Sequence, residues 1–137
     1  MKSVRHVLRT AISTRLTSGA TKITYDVTST PDTNHSLPFV HIGDIDAVPY
    51  NTKGTRNWDC IVTFHLWADW GSDEIVDAME HAILTSLTTA HDVAPSNMTV
   101  TNYTMIRQDV EDGGVVQDPG GKTIHGIFKY KFLLQES

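Results

Sequence analysis

The stretch that most constrains the fold is Trp58–Trp70, with the sequence WDCIVTFHLWADW. Apolar side chains occupy every second position over its first nine residues, which is the pattern of a β-strand with one face packed on a core. Ile61 and Trp67 on the other face indicate that this side is partly covered too. The strand pattern ends at Asp69, and a helical pattern begins at once. The sequence therefore predicts a long central strand, or one buried at a subunit contact, that runs straight into an amphipathic helix.

Two amphipathic helices are predicted. The first covers residues 4–17, where apolar side chains recur at helical spacing after Ser3, a good N-cap. The second follows the central strand, with Ser72 as its N-cap, two acids in its first turn and an apolar stripe that continues to about Thr89. The first helix also carries three arginines that lie mostly off its stripe, where solvent or a partner could meet them: Arg5, Arg9 and Arg15.

Besides the central strand, alternating apolar residues predict four strands, at residues 21–27, 39–45, 97–110 and 124–134. From their composition, Ser29–Leu37 is predicted to be a loop and Asp46–Asn57 the tip of a long hairpin. Asp109–Gly121 carries four glycines and four acids, so it is predicted to be a mobile acidic loop. Gly126 in the last strand indicates a bulge or a point of close packing.

The resulting order, α-β-β-β-α-β-β, contains no repeated β-α-β unit. It favours an α+β fold with an antiparallel sheet of four to five strands and both helices packed on one face. At 137 residues, the chain is predicted to form one domain, residues 1–137.

Charge and composition exclude several classes of function. The net charge is −5 and the pI about 5.7, which argues against the broad basic patch of a nucleic-acid-binding domain. The single cysteine allows no intramolecular disulfide. No apolar run is long enough for a membrane span, and the N-terminus is too polar for a secretion signal.

A search for catalytic or metal-binding patterns finds little. None of the seven histidines forms the i, i+4 pair of a helical zinc motif. His41, His65 and His125 could meet across adjacent strands, either as a metal constellation or as solvated or hydrogen-bonded strand histidines. Cys60 lies on the apolar face of the central strand and is interpreted as a small hydrophobe rather than a catalytic thiol. With neither a nucleophile elbow nor a phosphate-binding glycine loop, the sequence predicts no enzyme, no cofactor and no metal site.

What remains is a surface suited to protein contact. Polar and aromatic residues project at the hairpin tip, tryptophans stand near the end of the central strand, and acids fill the predicted loop. Either tryptophan could instead close the core. The predicted interaction residues are Tyr50, Lys53, Arg56, Trp67, Trp70, Asp109, Glu111 and Asp112.

Short features spread along nearly the whole chain occur in a characteristic order. They are Arg15-Leu16, Tyr25-Asp26, the Pro-aromatic-Val-x-Ile-Gly stretch Pro38–Gly43, Phe64–Trp67, Ile75–Met79 with Ala82-Ile83, Asp118, His125-Gly126, and Phe128 with Tyr130. As a set, they resemble the small tail-completion, or tail terminator, proteins of long-tailed bacteriophages and gene transfer particles.

This resemblance implies a structural virion protein without catalytic residues. Members of the family look like α+β subunits that close into a hexameric ring on the head-proximal end of the tail tube, and there end tube polymerisation. The implied partners are further copies of the chain, the tail tube protein and a head-completion or neck protein. DNA would pass through the lumen without sequence-specific binding. No membrane is involved, and the subunits would assemble in the host cytoplasm and end in the virion.

If the ring closes by lateral extension of the sheets, the strand edges near residues 39–45 and 124–134 are the candidates for contact. Three alternatives stay open at this point. The chain could be another neck or head-closure component, or a small enzyme that uses a metal or a thiol at His41, His65, His125 or Cys60. It could also be a ligand-binding module that works through Trp67 and Trp70.

Overall fold

A computed structural model of the chain describes residues 3–18, 22–28, 38–51, 54–69, 73–87, 100–117 and 123–136. It contains two helices, α1 (Val4–Thr17) and α2 (Asp73–Leu87). Five strands accompany them: β1 (Asp26–Thr28), β2 (Phe39–Pro49), β3 (Asn57–Asp69), β4 (Tyr103–Gln117) and β5 (Thr123–Glu136). The element order is the predicted α-β-β-β-α-β-β, and the α+β class is confirmed.

The five strands form one sheet in the order β1-β2-β3-β5-β4, so β3, which contains residues 58–69 of the opening stretch, is the middle strand, as predicted. β3 pairs with β5 over its whole length, from Asn57 opposite Gln135 to Asp69 opposite Thr123. The prediction of an edge at residues 124–134 is wrong, because β5 lies between β3 and β4. The outer strand on that side is β4.

The sheet is mixed rather than wholly antiparallel. β1 runs parallel to β2, with residues 26–28 opposite residues 39–41, whereas every other pair is antiparallel. The ten residues from 29 to 38 separate the two strands, which is more than a tight hairpin needs. β1 is also shorter than predicted, with three residues.

Both helices pack on one face of the sheet. Along β3 and β5, alternate side chains are buried on that face, and the residues between them are only partly covered. The apolar stripes of α1 and α2 fill the space above this face. The largest fully buried side chains are Leu8, Ile12, Leu16, Ile42, Phe64, Leu66, Met79, Ile83, Leu87, Phe128, Tyr130 and Phe132.

Two arginines of α1 hold the helix in place. The guanidinium of Arg9 donates to the backbone oxygens of Ile42 and Gly43, both at 2.8 Å, where β2 leaves its regular pairing with β3. Arg15 donates through Nε to the backbone oxygen of Ser86 at 2.6 Å, and the Ser86 hydroxyl donates back to the Arg15 carbonyl at 3.2 Å. The prediction that these arginines face solvent or a partner is therefore wrong for Arg9 and Arg15.

The predicted acidic loop is mostly strand. β4 runs from Tyr103 to Gln117 and places two of the acids, Asp109 and Asp112, opposite Lys131 and Lys129 of β5. Pairing with β5 thus overrides a glycine- and aspartate-rich composition that is typical of loops. Residues 118–121 lie outside the described residues. The hairpin tip is likewise shorter than predicted, because β2 continues to Pro49.

Gly126 is a point of close packing. A Cβ there would stand 2.5 Å from Cγ1 of Val76 on α2, so the absence of a side chain lets the helix approach β5. Gly126 pairs regularly with Leu66, and the alternative of a bulge is wrong. The predicted loop at residues 29–37 and the N-cap at Ser72 lie outside the described residues. Of the two helices described, neither is long and apolar enough to cross a membrane.

Candidate functional site

The face of the sheet opposite the helices is the candidate functional surface, and we call it the open face. Side chains of β3 and β5 on this side are only partly buried, and neither α1 nor α2 covers them. The open face carries an aromatic group at one end and charged residues at the other. Its central members are Asp59, Ile61, Thr63, His65, Trp67, His125, Ile127, Lys129 and Lys131.

Five rings form a stacked group across β2, β3 and β5, the histidine–tryptophan cluster: Phe39, His41, His65, Trp67 and His125. The Trp67 and His125 rings are nearly parallel, with centroids 3.9 Å apart and planes 4° apart. Trp67 also stacks at 6.4 Å on Phe39, and His65 stacks on both His41 and His125, at 5.5 and 4.8 Å. Strand register creates the group, because Phe39, Trp67 and His125 lie side by side and His41 lies opposite His65.

The imidazoles of the cluster favour the neutral form. Burial is the main reason that the pKa values of His41, His65 and His125 lie below their usual range. Their proximity lowers the pKa values of His41 and His125 further, whereas Asp44 opposes the shift at His41 and His65. Nδ1 of His65 lies 2.6 Å from Nε2 of His125, so the N–H of one neutral ring donates a hydrogen bond to the unprotonated nitrogen of the other.

The three histidines lie together across adjacent strands, as the sequence allowed, but their rings are stacked on one another. Ring planes that lie face to face do not direct their lone pairs at one point, which a metal ion requires. Across the described part of the chain, no group of three or more His, Cys, Asp or Glu residues could hold a metal ion.

The charged end of the open face contains a groove of about 790 Å³, the acidic groove. It brings Tyr50 from the hairpin tip together with Asp109 and Glu111 from β4, three residues that the sequence singled out from two distant segments. Nζ of Lys131 lies 3.4 Å from Oδ2 of Asp59 within it. The groove is lined by Tyr50, Asp59, Asp109, Val110, Glu111, Lys131 and Leu133.

The other predicted interaction residues lie elsewhere. Arg56 is outside the groove and pairs with Glu136, with NH1 3.6 Å from Oε2. Asp112 follows the groove along β4, opposite Lys129. Trp67 belongs to the histidine–tryptophan cluster, so the alternative that it closes the core beneath the helices is wrong. Lys53 and Trp70 lie outside the described residues.

Sequence reasoning missed two residues that complete the acidic groove. Asp59 and Lys131 line the groove. The apolar alternation of their strands could have placed them on this face, because each lies between buried residues and points the other way. Exposed apolar residues on β2 and β4 were also missed. They are Val48 on β2, and Ile106 and Val110 on β4.

Cys60 is fully buried on the helix side of β3. Burial raises the pKa of its thiol to about 12, and Asp59 adds to this shift. A thiol with such a pKa is not a poised nucleophile, and its surroundings agree with the interpretation of Cys60 as a small hydrophobe.

Comparison with known proteins identifies relatives over nearly the whole chain. The family model of the tail completion protein gp17 matches residues 3–135. The tail completion protein gp17 of Bacillus phage SPP1 is 26% identical over 111 residues, which are 81% of this chain and 78% of that protein.

Solved structures show the same fold. A chain from the virion of a native gene transfer agent particle superposes with a TM-score of 0.79 at 12% identity, covering 98% of this chain and 99% of its own. The structure of bacteriophage SPP1 gp17 superposes with a TM-score of 0.58 at 23% identity, covering 96% and 91%. Because the family model spans almost all of the sequence, the chain belongs to the tail completion protein gp17 family, which comprises structural virion proteins of the tail and not enzymes.

Proposed function

We propose that this chain caps the head-proximal end of a phage tail tube as a ring, ends tube polymerisation and provides the joining surface for the head or neck. The observation that carries the proposal is the family match over residues 3–135. The subunits assemble on the tail in the host cytoplasm and remain in the virion. The sheet supports this function, since it offers an open face and two strand edges, on β2 beyond β1 and on β4, for contact with neighbouring subunits.

These two strand edges suit a head-to-tail contact between copies. Within the described residues, β4 pairs only with β5, and β1 covers β2 only at residues 39–41. In the described part of the chain, no further strand lies beside β2 after residue 43, whose carbonyl accepts from Arg9, and none lies beside β4 on its outer side apart from the bridge between Val100 and Tyr103. These two edges are at opposite sides of the sheet. Exposed apolar side chains accompany both edges, Val48 on one and Ile106 on the other.

Strand direction permits the sheet to continue from one copy to the next. β2 and β5 run one way, and β3 and β4 run the other. If β4 of one subunit meets β2 of the next, the new pair is antiparallel, as in the rest of this part of the sheet. Such a heterologous contact repeats around an axis, and it closes a ring when the rotation from one copy to the next divides a full turn. DNA would pass through the lumen without sequence-specific contacts, which the net charge of −5 supports.

Mass photometry of the purified chain tests the ring. We expect a species with about six times the subunit mass of 15.2 kDa. Ile106→Lys on β4 should shift the population to monomers, because it places a charge in the subunit contact. Ile75→Lys is the matched control, since Ile75 is an exposed apolar residue on α2, away from both edges.

Capping is tested with the tube protein itself. Added to polymerising tube protein, the chain should stop elongation and leave tubes with the chain at one end only. Cryo-electron microscopy of particles should locate six copies between tube and neck. A chain that stays monomeric under all conditions and is absent from particles would refute the proposal.

A further inference from the structure

We propose that copies of the chain join in one register, in which residues 45–48 of β2 pair antiparallel with residues 112–115 of β4 in the next copy and Ala47 lies opposite Gly113. We call this pairing the subunit ladder. It rests on the proposed function, which supplies the second copy as the occupant of the edge. It adds which residues meet and on which side of the joined sheet the helices lie.

Hydrogen bonds to β3 decide which backbone groups of β2 point outward. The N–H of Tyr50 donates to the backbone oxygen of Asn57 at 2.8 Å. Opposite residues of an antiparallel pair alternate between bonded and non-bonded, and the β2–β3 register has no shift from Ile45 to Pro49. Residues 46 and 48 therefore bond to β3, and Ile45 and Ala47 direct their N–H and C=O groups away from it.

Both ends of this outward-pointing run are limited. Before it, the guanidinium of Arg9 occupies the backbone oxygens of Ile42 and Gly43. After it comes Pro49, which has no N–H to donate. Between these limits, Ile45 and the residue two positions on can exchange both backbone hydrogen bonds with a neighbouring strand.

The outward groups of β4 follow from the bonds of β5. The N–H of Glu136 donates to the backbone oxygen of Arg56 at 2.8 Å. Even-numbered residues of β5 therefore bond to β3, and odd-numbered ones bond to β4. Lys129 lies opposite Asp112, so Asp112 bonds to β5 and the next residue, Gly113, points outward.

One part of β4 is straight enough for a regular contact. Register shifts interrupt the strand between Met105 and Arg107 and again between Val110 and Asp112. A bulge bends its strand and disrupts the local ladder. Residues 112–117 are the longest run of β4 without a shift, and they contain the outward-pointing Gly113.

The outward residues of both edges lie on the same face of the sheet. Ala47 lies opposite Cys60, which is buried beneath the helices. A Cβ on Gly113 would stand 2.6 Å from Oε1 of Glu80 on α2, so Gly113 also faces the helices. Directly opposite residues of paired strands share a face. The joined sheet therefore carries the helices of all copies on one side and their open faces on the other.

Two opposite charges select Gly113 as the partner of Ala47. The carboxylate of Glu80 lies over Gly113, and burial, followed by the charge of Asp77, raises the pKa of this carboxyl. Arg5 is exposed and lines a cleft together with Ala47. Within the described part of the chain, neither Arg5 nor Glu80 forms an ion pair. The subunit ladder brings Arg5 of one copy beside Glu80 of the next, whereas a shift along β4 would separate them.

Charge reversal tests this contact. Arg5→Glu and Glu80→Arg each bring like charges together, so each should raise the concentration needed for assembly about tenfold. Both changes in one chain restore opposite charges and should restore assembly. Glu74→Arg makes the same change elsewhere on α2 and should have no effect. A double variant that assembles no better than the single ones would contradict the register.

A disulfide between copies tests the register directly. Val48 and Asp112 are exposed and would lie opposite each other on the open face, with Cα atoms about 4.5 Å apart, which a disulfide can span. Val48→Cys with Asp112→Cys should form covalent oligomers on oxidation, seen on a non-reducing gel. Val48→Cys with Gly114→Cys is the matched control, two residues along the same face, and should stay largely uncoupled. Cys60 is buried and does not compete.

The outcomes separate the subunit ladder from the ring. Coupling through residue 114 instead of residue 112 would overturn the register. Coupled chains that do not close into rings refute only the ring, and rings that couple through neither position refute only the subunit ladder. A chain that neither couples nor forms rings refutes both.

Discussion

The imidazole of His125 lies flat against the indole of Trp67, with ring centroids 3.9 Å apart, on the side of the sheet that neither helix covers. Phe39 stacks on the same indole from β2 at 6.4 Å. Trp67 therefore belongs to the open face, and cross-strand stacking rather than core packing fixes its position.

Replacing Trp67 with alanine should cost little stability for so large a side chain. We expect a loss of about 1–2 kcal/mol, because the ring is only partly buried and loses chiefly its stacking on His125 and Phe39. Phe64→Ala is the comparison, since Phe64 is fully buried under the helices and its removal should cost about 3–5 kcal/mol. Urea unfolding measures both. If both variants lost the same free energy of unfolding, Trp67 would contribute as much to stability as a core residue.

Stability should fall on mild acidification because of the three clustered histidines. In the folded chain, burial holds the pKa values of His41, His65 and His125 below the usual 6.5, so the unfolded chain binds more protons as the pH falls. Their contribution to stability is complete above about pH 6.5 and is lost as the pH falls toward the lowered pKa values. The urea midpoint should therefore be lower at about pH 5.5 than at about pH 7.5.

A variant isolates the source of this pH dependence. His65→Gln with His125→Gln removes two of the three groups, so the difference between the two midpoints should shrink. His81→Gln controls for the loss of a histidine as such, because His81 is exposed on α2. An undiminished pH dependence in the double variant would assign the effect to other groups.

The elements with strong periodicity could be predicted from the sequence, whereas features set by register could not. β3 and α1 follow directly from their apolar patterns, and their predicted positions agree with the structure. β4 was half missed because its Gly and Asp residues are typical of loops, and only pairing with β5 makes them strand. The stacking of the histidine–tryptophan cluster depends on which residues of β2, β3 and β5 lie opposite one another. Apolar alternation assigns residues to faces but does not set that pairing.

Cys60 should react slowly with Ellman's reagent in the folded chain. Burial raises the pKa of its thiol from 9.0 to about 12, which lowers the thiolate fraction about a thousandfold near neutral pH. The same thiol should react at once in denaturant. Fast modification of the folded chain would contradict the buried position and revive the alternative of a catalytic thiol.

Gly126→Ala should destabilise the fold through one contact. The new Cβ would stand 2.5 Å from Cγ1 of Val76, so α2 or β5 has to move, at a cost of about 1–3 kcal/mol. Val76→Ala in the same chain should relieve the clash, so the double variant should be more stable than the sum of the single losses implies. Gly114→Ala is the control, because no atom lies within 4 Å of its added Cβ.

The hairpin tip should serve assembly and not folding. Tyr50 is exposed, and the Arg56 side chain is 65% exposed in a surface ion pair with Glu136, which is worth at most about 1 kcal/mol. Replacing Tyr50, Lys53 and Arg56 together with serine should therefore leave the circular dichroism spectrum unchanged and the urea midpoint nearly so. Mass photometry and tube binding should show impaired ring formation or docking, because we predict that these residues contact a neighbour.

Serine at Glu74, Asp77 and His81 of α2 is the matched loss of three side chains, and it should leave assembly intact. If the tip variant forms rings and binds tubes as the parent chain does, the tip has no part in assembly.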